Sequence, residues 1–249
     1  MSAILTARSL SKSFGRFSVI ENVDLDVKEG TIHALIGPNG AGKTTLFNLL
    51  SRFVAPNQGT IHFGGRDVTT VNPAALAKAG LVRSFQISAV FAHLTVLDNV
   101  RVALKMKQGG THVFWKSDTV LSELDGQAYA LLDQTRLSRH ADKLAGELSY
   151  GLKRALEIAT TLALEPKLLL LDEPMAGLGR EDVHHMMELI QRASSGRTVL
   201  MVEHNLSVVR SISDRITVLA RGAVLAEGSY AEVSADARVV EAYLGVPHV

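Results

Sequence analysis

The eight residues Gly37 to Thr44, GPNGAGKT, constrain this chain more than any other stretch because they fit the pattern G-x-x-x-x-G-K-[ST]. That pattern demands a strand before it and a helix after it. Thr31 to Ile36 reads as a short buried strand, and Leu46, Leu49, Leu50 and Phe53 recur downstream at helical spacing. A loop of this kind wraps a polyphosphate with backbone N–H groups, which side chains at Gly37, Gly40 and Gly42 would obstruct. The helix N-terminus adds partial positive charge. Lys43 is spaced to reach β- and γ-phosphates, and the Thr44 hydroxyl to ligate a magnesium ion between them.

What surrounds the loop reads as one α/β unit. The 249 residues are 47% hydrophobic but only 5% aromatic, so the core is aliphatic, as in parallel sheets covered by helices. Residues 3–8 and 19–27 read as strands joined by a turn, KSFGRF, that carries Phe14. Gly59 to Phe63 reads as a strand closed by a Gly64-Gly65 turn, and these segments fit a small antiparallel sheet. Asn72-Pro73 is a helix start and Gly80 a stop, followed by a strand over 81–86 that ends in Gln86. Helical patterns at 96–106, 128–137 and 152–164 mark the middle third as a helical insertion. Then α/β alternation returns: a strand at 168–172, a helix at 180–193, a strand at 198–204, a helix after Asn205, a further strand and a terminal helix in ARVVEAYLG. No internal repeat is present, so one nucleotide cassette is encoded.

Composition narrows the function. A net charge of +1 gives no broad basic field, which disfavours generic nucleic-acid binding. No apolar run approaches the roughly 18 residues a membrane span needs, and no secretory signal is visible, so residence in the cytoplasm is expected. The absence of cysteine excludes disulfides and thiolate metal sites.

Asp172 and Glu173 close the apolar run LLLLD. An aspartate at the end of a buried strand is suited to hold magnesium, and the adjacent glutamate to polarise a water aimed at a γ-phosphate. In LSYGLKR, Leu148 to Arg154, Ser149 can cap a helix whose first amides face an anion. His184 and His185 lie on a predicted helix without matching acidic or cysteine ligands for a metal and read as surface or packing residues, Trp115 as a packing residue of the insertion, and Lys105, Lys107 and Lys116 as a solvated face.

The order GPNGAGKT, RSFQ, LSYGLKR, LLLLDEP and VEH resembles the ATP-binding cassette (ABC) ATPases from Ala3 to about Gly245. The resemblance implies a P-loop NTPase fold with a RecA-like core, a small antiparallel β-subdomain and an inserted helical subdomain. It divides the chain into residues 1–86, 87–165 and 166–249. It further implies that ATP and Mg2+ are bound, with Pro38, Asn39, Ala41 and Thr45 joining the loop glycines, Lys43 and Thr44 around the nucleotide. Phe14 would stack on adenine, Gln86 would sense magnesium and the γ-phosphate, and His204 would help hold the attacking water. Ser149 and Gly151 would serve the ATP of a second ATPase subunit, closing two cassettes head to tail. One departure stands out: Gly179 occupies the position where most relatives carry an aspartate, which removes or reroutes the usual contact across that dimer.

Within the family, RSFQISAVFAHLTVLDNVRVAL and VVEAYLG look like the ATPase subunits of branched-chain or hydrophobic amino-acid importers, the LivG-like type. Cassettes for urea, short amides or lipopolysaccharide export look much alike. This type implies a transmembrane permease as partner, an extracytoplasmic solute-binding protein met only indirectly, and no nucleic acid. It implies a peripheral place on the cytoplasmic face of the inner membrane. The apolar segment Ile87 to Leu97 is expected to offer a groove to a cytoplasmic permease helix. A soluble ABC ATPase acting on DNA or ribosomes is the competing reading; it lacks support in a coiled-coil insertion, a second cassette or a basic face. A GTPase or small-molecule kinase leaves the LSYGLKR signature unexplained.

Overall fold

A computed structural model of the chain describes residues 2–84, 90–107 and 124–244. Gln86, Trp115 and Lys116 lie outside the described residues, as does the start of the segment 87–97.

Two sheets form the scaffold. The first is antiparallel, built from β1 (Ala3–Phe14), β2 (Phe17–Lys28), β4 (Gln58–Phe63) and β5 (Arg66–Asp67) in the order β2-β1-β4-β5. The second holds β3 (Ile32–Ile36), β6 (Leu81–Arg83), β7 (Leu168–Asp172), β8 (Thr198–Val202), β9 (Arg215–Ala220) and β10 (Ala223–Gly228) in the order β10-β9-β3-β8-β7-β6. Its neighbours pair in parallel except at the β9–β10 edge. Parallel pairing needs a crossover between strands, which the helices supply. These are α1 (Lys43–Leu50), α2 (Pro73–Ala79), α3 (Val96–Lys107), α4 (Asp125–Gln134), α5 (Tyr150–Leu162), α6 (Arg180–Ala193), α7 (Leu206–Ile212), α8 (Tyr230–Ala235) and α9 (Ala237–Leu244).

The central strands are buried on both faces, and their alternation sorts the core into two halves. Leu168, Leu170, Leu200 and Val202 pack with β1, β2, β4 and α1. Leu169, Leu171, Val199 and Met201 pack against the helical side, with residues of α3, α5 and α6. A period of two puts consecutive leucines of LLLL into different cores, which is why an almost unbroken apolar run is stable here.

Local chemistry accounts for most element ends, and some differ from the sequence reading. The turn between β1 and β2 is confined to Gly15 and Arg16, so Phe14 ends a strand rather than riding in a loop. Gly64 and Gly65 form the expected two-residue turn, with φ of 56° and 76° at the two positions. Asn72 caps α2 by accepting from the Ala75 amide at 2.8 Å, Pro73 takes the first helical position, and Gly80 at φ 106° ends it. α1 stops at Leu50, so Phe53 is not on the helix; it stands 48% exposed beyond it. β6 runs over Leu81–Arg83, where it pairs with β7, and residues 85–86 of the expected strand lie outside the described residues.

Candidate functional site

The strand order brings distant motifs to one edge. β3, β8 and β7 are consecutive in the sheet, and Leu35 pairs with Val202, which pairs with Asp172. Just past that row stand the phosphate loop, His204 and Glu173. Parallel strands all present their C-terminal ends on one side, which is where α/β sheets bind ligands.

The loop from Gly37 to Gly42 is held open by its own chain. A side-chain carbon at Gly37 would lie 2.0 Å from the Leu219 carbonyl oxygen, and one at Gly42 would lie 2.8 Å from both Val19 O and Ile20 Cδ1. Gly42 also adopts φ 98° as the cap of α1. At Gly40 nothing lies within 4 Å, and only its φ of 77° favours glycine. The glycines at 37 and 42 thus answer to neighbouring strands, a refinement of the expectation that a bound phosphate alone excludes side chains there. Lys43 curls back to donate to Gly37 O at 2.7 Å and Pro38 O at 3.0 Å. Burial lowers its pKa below the ordinary lysine value, with the Glu173 charge offsetting part of that shift. Thr44 is exposed at the first turn of α1 and Thr45 is half-buried.

At the end of β7, Asp172 is 5% exposed and its Oδ2 accepts from Arg83 Nη2 at 2.6 Å. Glu173 follows in the left-handed region at φ 47°, uncommon for a residue with a Cβ, with its amide donating to Val202 O at 2.9 Å. Strain of this kind, on the order of 1–3 kcal/mol, persists only where surrounding contacts over-determine the backbone.

One such contact is Glu203, which the sequence reading passed over. It is fully buried, and its carboxylate accepts from Met175 N at 3.1 Å, His204 N at 2.9 Å and Asn205 N at 3.0 Å. Glu203 thereby ties the segment after Glu173 to the segment bearing His204. The signal was present in the sequence: a carboxylate at the end of the apolar run TVLMV requires buried partners. His204 itself is exposed, and Asn205 caps α7 by accepting from Ser207 N and Val208 N.

Three other predicted residues lie on other elements. Phe14 is 50% exposed, with Lys12 Nζ 5.2 Å from its ring centroid. Ser149 caps α5, accepting from Leu152 N at 3.4 Å, and faces solvent. Gly151 lies against the Asp182 carboxylate, where an added carbon would meet Oδ1 at 2.8 Å. Gly179 caps α6 with no side-chain hydrogen bond, so the aspartate usual at that place would also have been a cap. His184 pairs with Glu188 at 3.3 Å.

A phosphate-type loop, a strand-end acidic pair and a strand-end histidine on three adjacent parallel strands define a nucleotide hydrolase, and the match to the ABC transporter family model over residues 20–176 makes the class specific. The chain belongs to the ABC transporter ATPases and is an ATP-hydrolysing cassette. Residues 223–249 match a second family model, that of the branched-chain amino acid ATP-binding cassette transporters. Among curated relatives is the high-affinity branched-chain amino acid transport ATP-binding protein LivG of Salmonella typhimurium, 38% identical over 97% of this chain and 98% of that protein. BraF of Pseudomonas aeruginosa, which carries the same description, is 36% identical with the same coverage. Among solved structures, the ADP conformation of MJ1267, an ATP-binding cassette of an ABC transporter, superposes with a TM-score of 0.85 at 31% identity, covering 99% of this chain and 100% of that one. A dimeric post-hydrolysis state of the cassette MJ0796 bound to ADP and Pi superposes at 0.75 with 26% identity, over 91% of this chain and 98% of that one.

Proposed function

We propose that this chain is the subunit that binds and hydrolyses ATP to drive uptake of branched-chain or related amino acids through a separate membrane permease. The observation that carries the reading is the convergence of the phosphate loop, Asp172-Glu173 and His204 on one sheet edge. The resemblance of both the core and the C-terminal residues to branched-chain amino-acid cassettes supports the choice of solute.

In this reading the amides of residues 38–45 and the Lys43 ammonium bind the triphosphate, with Lys43 exchanging its two carbonyl partners for phosphate oxygens. Glu173 takes the proton of the attacking water, His204 orients that water, and Phe14 stacks on the base. The donor set fits magnesium: Thr44 offers an exposed hydroxyl, and Asp172 keeps Oδ1 without a protein hydrogen bond among the described residues. Hard oxygen donors of this kind suit that ion. When bound, magnesium would neutralise charge on the transferred phosphoryl group. Gln86 joins this set by resemblance alone.

A second cassette supplies Ser149 and Gly151 to each nucleotide, which gives the solvent-facing cap of α5 a purpose. The permease meets the chain at an apolar cleft of about 480 Å3 between the two halves of the molecule. Its walls include Phe53, Ala77, Phe91, Val102 and Met106, so among the described residues the expected segment 87–97 contributes through Phe91, with the rest coming from α2, β6, α3, the C-terminal end of α5 and the stretch just after α1. No helix among the described residues is long and apolar enough to cross a membrane, which agrees with a peripheral place on the cytoplasmic face. The deciding experiment is isolation of the native complex from membranes and its reconstitution in vesicles. ATP-dependent uptake of labelled leucine with co-purified permease subunits is expected. Recovery with nucleic acid and no membrane subunit would overturn the assignment.

A further inference from the structure

Arg83 has no role in the mechanism above, yet its guanidinium is the most heavily engaged cation of the site. It closes β6, and its pairing with Leu170 sets it two residues short of Asp172 on the neighbouring strand. Nη2 meets Asp172 Oδ2 at 2.6 Å, with the two side chains 12% and 3% exposed. Nη1 donates to Asn48 Oδ1 at 2.6 Å and to Ser51 Oγ at 3.2 Å, both on the helix that begins with Lys43 and Thr44 or at its end. The plane is flanked by Phe47, 5.0 Å to the ring centroid, and Phe53, 5.5 Å. Nε is buried without a hydrogen-bond partner, so the rings do part of the work of holding the charge.

Two consequences follow from this arrangement. With Nη2 on Asp172 Oδ2, Nη1 anchored on Asn48 and Ser51 and two rings beside the guanidinium, Arg83 restrains the Asp172 rotamer through one oxygen and leaves Oδ1 without a hydrogen bond among the described residues, an arrangement that suits an outer partner to a metal ligand. Phe53 is half-exposed and, with Ser51 and Arg83, also lines the apolar cleft. One side chain therefore touches the carboxylate of the cation site at one end and the wall of the cleft at the other.

We propose that Arg83 is a positioning residue that holds Asp172 for the divalent cation and carries the state of the cleft to that carboxylate through Phe53. This rests on the cassette reading of the site and deepens it. A helix that fills the cleft presses on Phe53, and the guanidinium behind it has few ways to move that do not shift Asp172.

The test uses the full chain with ADP and Mn2+ alone as probe, free Mn2+ being followed by electron paramagnetic resonance. Arg83→Met is expected to weaken Mn2+ affinity by roughly 10–100-fold while ADP affinity in EDTA stays at the wild-type value. Arg83→Lys, which keeps the charge but not the fork, should fall between. Phe53→Ala, at a position outside the predicted ligand set, should weaken Mn2+ binding severalfold. Thermal melts identify any variant that fails to fold; if Arg83→Met does, Asn48→Ala takes its place, since it frees the other anchor of the same guanidinium and should lower Mn2+ affinity in a folded chain. Wild-type or tighter Mn2+ binding in the folded arginine variants would overturn the positioning role, and wild-type binding in Phe53→Ala would overturn the link to the cleft. Wild-type chain that binds ADP but no Mn2+ would instead bring down the reading of the cation site, and the proposal with it.

Discussion

The phosphate loop and the helix that begins at Ser149 are both anion-type helix starts, yet they are finished to different degrees. At the loop, Lys43 already has two carbonyl partners, and Gly37 and Gly42 are pinned against Leu219, Val19 and Ile20. At the other helix, Ser149 satisfies one amide of its own turn and otherwise faces solvent. The first is a site preorganised within one chain. The second, on the proposed reading, is a half-site whose ligand comes with another subunit. The lesson is that similar local signals can encode a finished pocket or an unfinished one, and only their packing separates the two.

That contrast can be broken by mutation. The largest effect is expected for Glu173→Gln, which removes the proposed proton acceptor without altering the loop. Turnover should fall by roughly 10^2–10^4-fold while nucleotide binding persists, as measured by phosphate release beside equilibrium binding. Ser149→Arg should nearly stop hydrolysis in the assembled transporter and leave nucleotide affinity of the isolated chain unchanged; equal turnover in the complex would erase the distinction between the two helix starts. Lys43→Ala is expected to weaken nucleotide binding in the isolated chain by about 10–100-fold, the worth of hydrogen bonds to a charged group, as read by calorimetry. Gly42→Ala should cost on the order of 1–3 kcal/mol of stability in a denaturant titration, through its φ of 98° and its contact with Val19 O.

The smallest effect is a control at the far end of β3. His33 is fully buried with Nε2 2.8 Å from Thr217 Oγ1, and burial, with a lesser contribution from Arg215, pushes its pKa down to about 3. The unfolded chain takes up this proton near pH 6.5 while the native chain does not, so stability contributed by neutral His33 is lost as pH falls from 6.5 toward 3. His33→Gln should flatten that acid limb in urea midpoints taken at pH 7 and pH 5, without altering nucleotide affinity at pH 7.

Much of the site was legible because its chemistry is local. The loop, the acidic pair after LLLL and the serine cap of α5 each consist of adjacent residues whose spacing states their geometry. Glu203 and Arg83 were not legible in the same way. Each acts across strands: Glu203 by bonding amides on two segments, Arg83 by meeting Asp172 from a neighbouring strand 89 residues away in sequence. Phe53 shows the opposite failure, since its helical spacing suggested a core residue on α1 and it instead stands beyond the helix over Arg83.

Sequence alone determined the elements that depend on short-range constraints: the glycine-rich turn, the caps at Asn72 and Ser149, and the double-sided apolar strands that require burial on both faces. Tertiary structure decided which strand lies beside which, and therefore that the ends of β3, β8 and β7 share one edge. The physical reason is that a parallel strand carries no record of its neighbour in its own residues; order is set by how crossover helices pack, and buried charges such as Arg83 and Glu203 find their partners only after that packing is complete.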